Sequence, residues 1–515
     1  MPQLRRALAL VALIVLSTLA RPGGSQPTGA GAAPLPAATR SAAEPPPPAA
    51  ASAPRAALPP IDAAEPQRRA ETLAADVRRW GGRVGVIAID VASGATLVAL
   101  DEHGLYNPAS NAKLLTAATA LRLLGPSHRY VTGLYGVRSG NEVAELVLRG
   151  AGDPSLATRD LWEMARDLRA AGIRKVGSVA VDQGYFDDLY VPPAFEQQPH
   201  EWAAFRAPVA AVSLNENTVL FTIRATRAGE PASVVVDPPG LIDLAGSVAT
   251  AEKGTPEKIV IELEPRGARL AVRLGGNVPE GSRLVRLARR VEDPRLLAGY
   301  ALKEILEGIG VQVAGEPRLG GGRQKRLLVV HRSAPLGQLL DALGKDSDNF
   351  YAETIFKTIA AEQRGRPGTS ATAAELVAET LDDLGAAKPG VIVKNGSGLF
   401  DANRASPWSM AVLLRAASRD PALNTDFTAQ LAIGGVDGTL RGRFSAWAKQ
   451  RAIRAKTGTL DAVASLSGYV LPPAGRSPIA FSILVNDIPG KVGAAREGMD
   501  RVVDALAREL WKGAR

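Results

Sequence analysis

Arg454-Ala455-Lys456-Thr457-Gly458-Thr459-Leu460 lies between Ile453 and the strand-like run 466–470. A strand edge bearing a lysine, two hydroxyls and a glycine suits a ligand that ends in a carboxylate. On this reading Lys456 supplies charge, Thr457 and Thr459 donate hydrogen bonds, and Gly458 lets the ligand backbone approach closely. The same residues also fit a surface turn with a solvated lysine. Two upstream clusters decide between these readings.

The first is Ser110-Asn111-Ala112-Lys113, which follows Asn107-Pro108-Ala109 and opens an apolar helical run stopped by Gly125-Pro126. Pro108 suits the start of a helix because it fixes φ and lacks a donor. Residues three apart share a helix face, so the Lys113 amine can lie beside the Ser110 hydroxyl. A serine hydroxyl becomes a good nucleophile when a neighbouring base takes its proton. Lysine can be that base only if desolvation or nearby positive charge lowers its pKa. The second cluster, Ser347-Asp348-Asn349, precedes an expected amphipathic helix from Phe350 onward. From there Ser347 can relay a proton to a leaving amine and Asn349 can hold a substrate carbonyl. Taken singly, both serines also read as ordinary helix caps.

In this order, Ser-x-x-Lys, Ser-x-Asn and Lys-Thr-Gly are the signature of serine enzymes that recognise penicillin. The chain resembles the class C low-molecular-mass penicillin-binding proteins, a family of D-alanyl-D-alanine carboxypeptidases and endopeptidases. The resemblance extends to Gly396-Ser397-Gly398-Leu399, to Gly434-Gly435-Val436-Asp437-Gly438-Thr439-Leu440 and to Gly150-Ala151-Gly152-Asp153-Pro154, and it runs from about Ala64 onward. It departs at Asn395 and Phe400, where the pattern has Asp and Ser. The resemblance implies catalytic roles for Ser110, Lys113, Ser347 and Lys456, and substrate binding by Asn349, Thr457, Gly458 and Thr459. Ser110 would be acylated, with the backbone amides of Ser110 and Thr459 as oxyanion hole. It further implies peptidoglycan stem peptides and β-lactams as partners, with no cofactor and no metal.

Spacing separates this group from compact β-lactamases: Ser110 and Ser347 are 237 positions apart, so whole domains intervene. The expected architecture is multidomain α/β (α+β). An antiparallel sheet flanked by helices, with a helical lobe, forms a penicillin-recognising serine transpeptidase-like fold carrying smaller β-rich insertions. The expected division is a signal peptide at 1–20, an Ala/Pro-rich linker at 21–60, and a discontinuous catalytic domain at 61–130 and 325–515. An inserted domain occupies 131–220 and 291–324, with a nested β-rich domain at 221–290. Asp182 in the insertion is a candidate contact for a bulky substrate.

The N-terminal stretch joins Arg5-Arg6 to a short apolar run and the small residues before Ala20, as a secretory signal does. That places the protein outside the cytoplasmic membrane, in a bacterial periplasm or cell envelope. The chain has no cysteine and four scattered histidines, which excludes thiol chemistry and disfavours a zinc peptidase or a Ser-His-Asp triad. A net charge of +9 suits weak association with an anionic wall polymer or membrane surface. Aromatics are scarce and no nucleic-acid module is evident, so no nucleic-acid partner is expected. A β-lactamase and an idle wall-binding scaffold are the rival readings. The five polar residues Ser110, Lys113, Ser347, Asn349 and Lys456 argue against the scaffold.

Overall fold

The computed structural model describes residues 60–321 and 325–513. The expected signal peptide and all but the last residue of the expected linker lie outside them.

Six strands build one antiparallel sheet. Its spatial order is Ala432–Ile433, Ile453–Leu460, Val463–Val470, Ile479–Asn486, Arg83–Asp90 and Thr96–Leu100. Successive side chains of a strand point to opposite faces, and here both faces are covered. Val84, Val86 and Ala88 join Phe481, Ile483 and Val485 under the helices Ala64–Arg79 and Val492–Leu510. Ile87 and Ile89 point the other way, into a core shared with Pro407–Arg419 and the helical lobe. This explains why Ile479–Asn486 is buried at every position and reads as a continuous apolar run instead of an alternating one.

The lobe is built from Ala112–Leu124, Asn349–Arg364 and Ser370–Asp383. The helix starting at Asn349 is not amphipathic as expected. Residues 352–361 are all buried, because the lobe covers one side and the inserted segment the other.

The insertion begins with Val131–Gly136 and centres on a second sheet, ordered Gln312–Val313, Lys175–Asp182, Glu142–Gly150, Val131–Gly136 and Arg326–Arg332. Glu142–Gly150 and Lys175–Asp182 are parallel, connected through the helix Thr158–Ala170 as parallel neighbours require. Arg326–Arg332 pairs with Val131–Gly136, so this strand belongs to the inserted sheet and not to the catalytic part expected from residue 325 onward. Between these strands lie two small sheets. One joins Thr218–Arg224 to Ser233–Asp237 and Val285–Arg290; the other is organised around Arg269–Pro279.

A buried ion pair ties the insertion to the helical lobe. Lys357, 2% exposed, donates to Asp187 at 2.5 Å and to the Leu189 carbonyl at 2.7 Å. Removing one partner of such a pair leaves an unsatisfied buried charge and costs about 3–5 kcal/mol.

Candidate active site

Ser110 sits on a short 3-10 turn, Ala109–Asn111, immediately before Ala112–Leu124. Ala109 is held at φ +46°, a conformation costly for a residue with a Cβ. The surroundings fix it there. Ala109 N donates to Asn107 Oδ1 at 2.9 Å, Asn107 N donates to Asn486 Oδ1 at 2.7 Å, and Ser465 Oγ donates to the Pro108 carbonyl at 2.7 Å. Gly398 presses against the same turn: a Cβ there would lie 1.9 Å from the Ala109 carbonyl oxygen. Gly458 has the same function from the opposite side, since a Cβ on it would meet Ser465 Oγ at 2.1 Å and the Pro108 carbonyl at 3.0 Å. Its missing side chain therefore makes room for the protein's own Ser110 turn, where the sequence suggested room for a ligand.

Lys113 is fully buried, and its Nζ lies 3.1 Å from Ser110 Oγ, 2.7 Å from Asn349 Oδ1 and 2.8 Å from the Ser397 carbonyl. Burial pulls its pKa down to about 7, while Glu353 and Asp348 oppose the shift. A neutral amine has two N–H donors and one lone pair. The Ser397 carbonyl and Asn349 Oδ1 take the two donors, which leaves the lone pair for the Ser110 hydroxyl proton. The environment thus satisfies the form of lysine that acts as a base.

Lys456 is also fully buried, on the strand Ile453–Leu460, and donates to Ser347 Oγ at 2.7 Å and to the Thr457 carbonyl at 2.8 Å. Burial and then the neighbouring Lys113 hold its pKa well below the ordinary lysine range. Ser347 adopts φ +63° after a π-helical turn, Ala342–Asp346, and so points away from the following helix. Capping that helix falls to Asp348, whose side chain accepts from Tyr351 N at 2.9 Å. Neither Ser110 nor Ser347 is a helix cap, the mundane role open to both on sequence grounds. Asn349 donates from Nδ2 to the Phe205 carbonyl of the insertion at 3.0 Å. Thr457 Oγ1 donates to Thr439 Oγ1 at 2.8 Å, and Thr459 is exposed.

The structure thus brings the three motifs together around one open cleft of about 840 Å³, into which Ser110, Ser347, Asn349 and Thr459 face. Gln197 and Phe205 of the insertion form part of its wall. Among the described residues no histidine lines it, and no group of three or more His, Asp or Glu side chains converges as a metal ion would need. Asp182 is not among the cleft residues; Arg149 holds it at 2.7 Å in the inserted sheet. Glu375 and Glu379 are exposed on Ser370–Asp383.

Glu353 is the functional residue that sequence reasoning did not assign. It is 2% exposed, and its two carboxylate oxygens accept from Gly396 N at 3.0 Å and Ser397 N at 2.7 Å. This grip turns the Ser397 carbonyl toward Lys113. Burial raises the Glu353 pKa, and its hydrogen bonds to Ser397 and Gly396, with Lys113, oppose the rise. The available signal was a carboxylate set among apolar helix residues, Ala352-Glu353-Thr354-Ile355-Phe356.

This geometry sets how acylation should respond to pH and to two substitutions. Acylation of Ser110 should rise with pH through about 7, where Lys113 loses its proton. Lys113→Arg should nearly abolish acylation, because guanidinium stays protonated at any working pH; stopped-flow acylation across pH 5–9 checks both. Glu353→Gln should slow acylation by roughly ten- to a hundredfold, since one oxygen acceptor becomes an N–H donor facing a backbone N–H. It should also move the acid limb of the profile to lower pH, because the anion that supports the Lys113 ammonium is gone. A purely structural role for Glu353 would leave that limb in place.

The sequence pattern of the D-Ala-D-Ala carboxypeptidase 3 (S13) family matches residues 67–509. The chain is similar to the D-alanyl-D-alanine carboxypeptidase of Actinomadura sp. (strain R39), at 33% identity over 452 residues covering 84% of this chain and 81% of the relative. It is also similar to the D-alanyl-D-alanine carboxypeptidase DacB of Haemophilus influenzae, at 25% identity covering 79% and 86% of the two chains. The crystal structure of penicillin binding protein 4 (dacB) from Haemophilus influenzae shares the fold, with a TM-score of 0.70 at 24% identity over 85% of this chain and 99% of that one. With its pattern matched over most of its length, the chain belongs to the D-Ala-D-Ala carboxypeptidase 3 (S13) family of serine peptidases.

Proposed function

We propose that this S13 serine peptidase hydrolyses D-alanyl-D-alanine termini and D-alanyl cross-links of peptidoglycan through an acyl-enzyme on Ser110. The observation that carries the reading is the contact between a fully buried Lys113 amine and Ser110 Oγ at 3.1 Å. Neutral Lys113 takes the hydroxyl proton as Ser110 attacks the penultimate D-Ala carbonyl carbon. The oxyanion accepts hydrogen bonds from the backbone N–H groups of Ser110 and Thr459, each worth about 3–4 kcal/mol in the transition state. The proton then passes by way of Ser347 and Lys456, 2.7 Å apart, to the leaving amine. Water attacks the acyl-enzyme and frees Ser110. Asn349 and the Thr459 hydroxyl hold the peptide, while the Thr457 hydroxyl spends its proton on Thr439 Oγ1.

A β-lactam carries a similar acyl group and carboxylate, so it acylates the same serine. The relatives' names point the same way: one is a penicillin-sensitive carboxypeptidase of Dictyostelium discoideum, and a Haemophilus influenzae relative was crystallised with a β-lactam. Cleavage of cross-links is supported by the breadth of the cleft, whose wall is extended by Gln197, Gln198 and Phe205 of the insertion. The second peptide strand, with its own carboxylate, is the leaving group in that reaction.

Fluorescent penicillin should label the purified enzyme, and cross-linked muropeptide dimers should give monomers while stem pentapeptides release D-alanine. Ser110→Ala should lose all three. Labelling that survives in the alanine variant would identify another nucleophile, and dimers left intact beside free D-alanine would remove cross-link cleavage. The enzyme works on a wall polymer, and Arg5-Arg6 with its apolar run reads as a secretory signal, so we place the active protein outside the cytoplasmic membrane. The intact mass of exported protein should correspond to a start after Ala20; a full-length cytoplasmic product would contradict export.

A further inference from the structure

Lys456 stands where the sequence suggests that a terminal carboxylate is read, but its amine does not reach the open cleft. It is fully buried and spends its hydrogen bonds on Ser347 Oγ and the Thr457 carbonyl. Another group has to meet the substrate's negative charge. Two arginines line the cleft, and each is already paired: Arg83 with Asp487 at 3.1 Å and Arg404 with Asp401 at 2.6 Å. A third, Arg496, stands at the rim on the helix Val492–Leu510, one turn beyond the cleft residue Val492. Its Nη2 donates to Thr459 Oγ1 at 2.6 Å. Among the described residues no carboxylate lies within ion-pair distance of it, and its side chain is exposed.

This bond has a chemical consequence. A hydroxyl that accepts from a guanidinium keeps its own O–H to donate elsewhere. Thr459 Oγ1 therefore presents a donor to the cleft, backed by a full positive charge and the remaining N–H groups of Arg496. Planar guanidinium donors match the geometry of a carboxylate, and charge-assisted bonds are about twice as strong as neutral ones. We propose that Arg496, acting with Thr459, recognises the free carboxylate at the end of the substrate and makes the enzyme select anionic C-termini. Lys456 then serves proton transfer beside Ser347. The assignment rests on the peptidase reading given above.

The test compares the wild-type chain with Arg496→Gln and Arg496→Lys. For a peptide ending in D-Ala-D-Ala, Arg496→Gln should raise KM about tenfold and leave kcat within about threefold, the effect of one lost charge-assisted bond. The acylation rate with a free-acid penicillin, divided by that with its methyl ester, should fall about tenfold in the same variant, and Arg496→Lys should recover part of it. A ratio unchanged in Arg496→Gln overturns the assignment while the peptidase reading stands. A wild-type enzyme that is acylated by neither form overturns the peptidase reading and the assignment with it.

Discussion

The exclusion of water from two lysine amines is the constraint around which the site is organised. Lys113 and Lys456 lie on different elements, a helix and a strand, and both are fully buried. A buried ammonium is costly unless its donors are met, and two of them close together repel. The cheaper state has less charge, and each amine is surrounded by hydroxyls and carbonyls and not by directly bonded carboxylates. The carboxylates that do act on Lys113, Glu353 and Asp348, do so at longer range and keep its pKa near neutrality. Burial and these anions pull in opposite directions, and their balance leaves a base usable at neutral pH.

Such a balance needs rigid surroundings, and the fold supplies them from several directions. The central sheet delivers Lys456 and Ser465, the lobe delivers Lys113, Asn349 and Glu353, and the loop 395–401 delivers the Ser397 carbonyl. The turn at Ala109 is held at a costly φ by contacts from Asn107, Gly398 and Gly458. Backbone strain of this kind persists where neighbours over-determine the geometry.

The insertion is more than an appendage. Its 3-10 turn Ala204–Arg206 receives the Asn349 amide through the Phe205 carbonyl, and its Asp187 neutralises Lys357 on the same helix. The two positions that depart from the family pattern also meet it. Asn395 Nδ2 donates to the Pro193 carbonyl at 2.9 Å, a bond that an ionised aspartate cannot make. The Phe400 ring stands edge-on to Phe195 with centroids 5.8 Å apart, beneath the Arg206 guanidinium. These residues join the loop beside Ser110 to the inserted segment.

Local pattern alone determined a good deal. The strand that carries Lys456, the strand-like run 466–470 and the helix opened at Ser110 were all legible, because alternation and helical periodicity are properties of neighbouring residues. The three motifs were legible for the same reason: each is a short run in which spacing alone sets a shared face. Tertiary structure decided what depends on distant segments. It buried residues 352–361 of the helix Asn349–Arg364 all round, moved Arg326–Arg332 into the inserted sheet, and turned Gly458 toward the Ser110 turn and away from a ligand. It also set Glu353 behind Ser397 and Arg496 beside Thr459, residues 44 and 37 positions apart. The charge on a lysine belongs to this second class. Lys456 looks cationic in sequence because an isolated amine is hydrated, and only the packed fold removes the water that would keep it so.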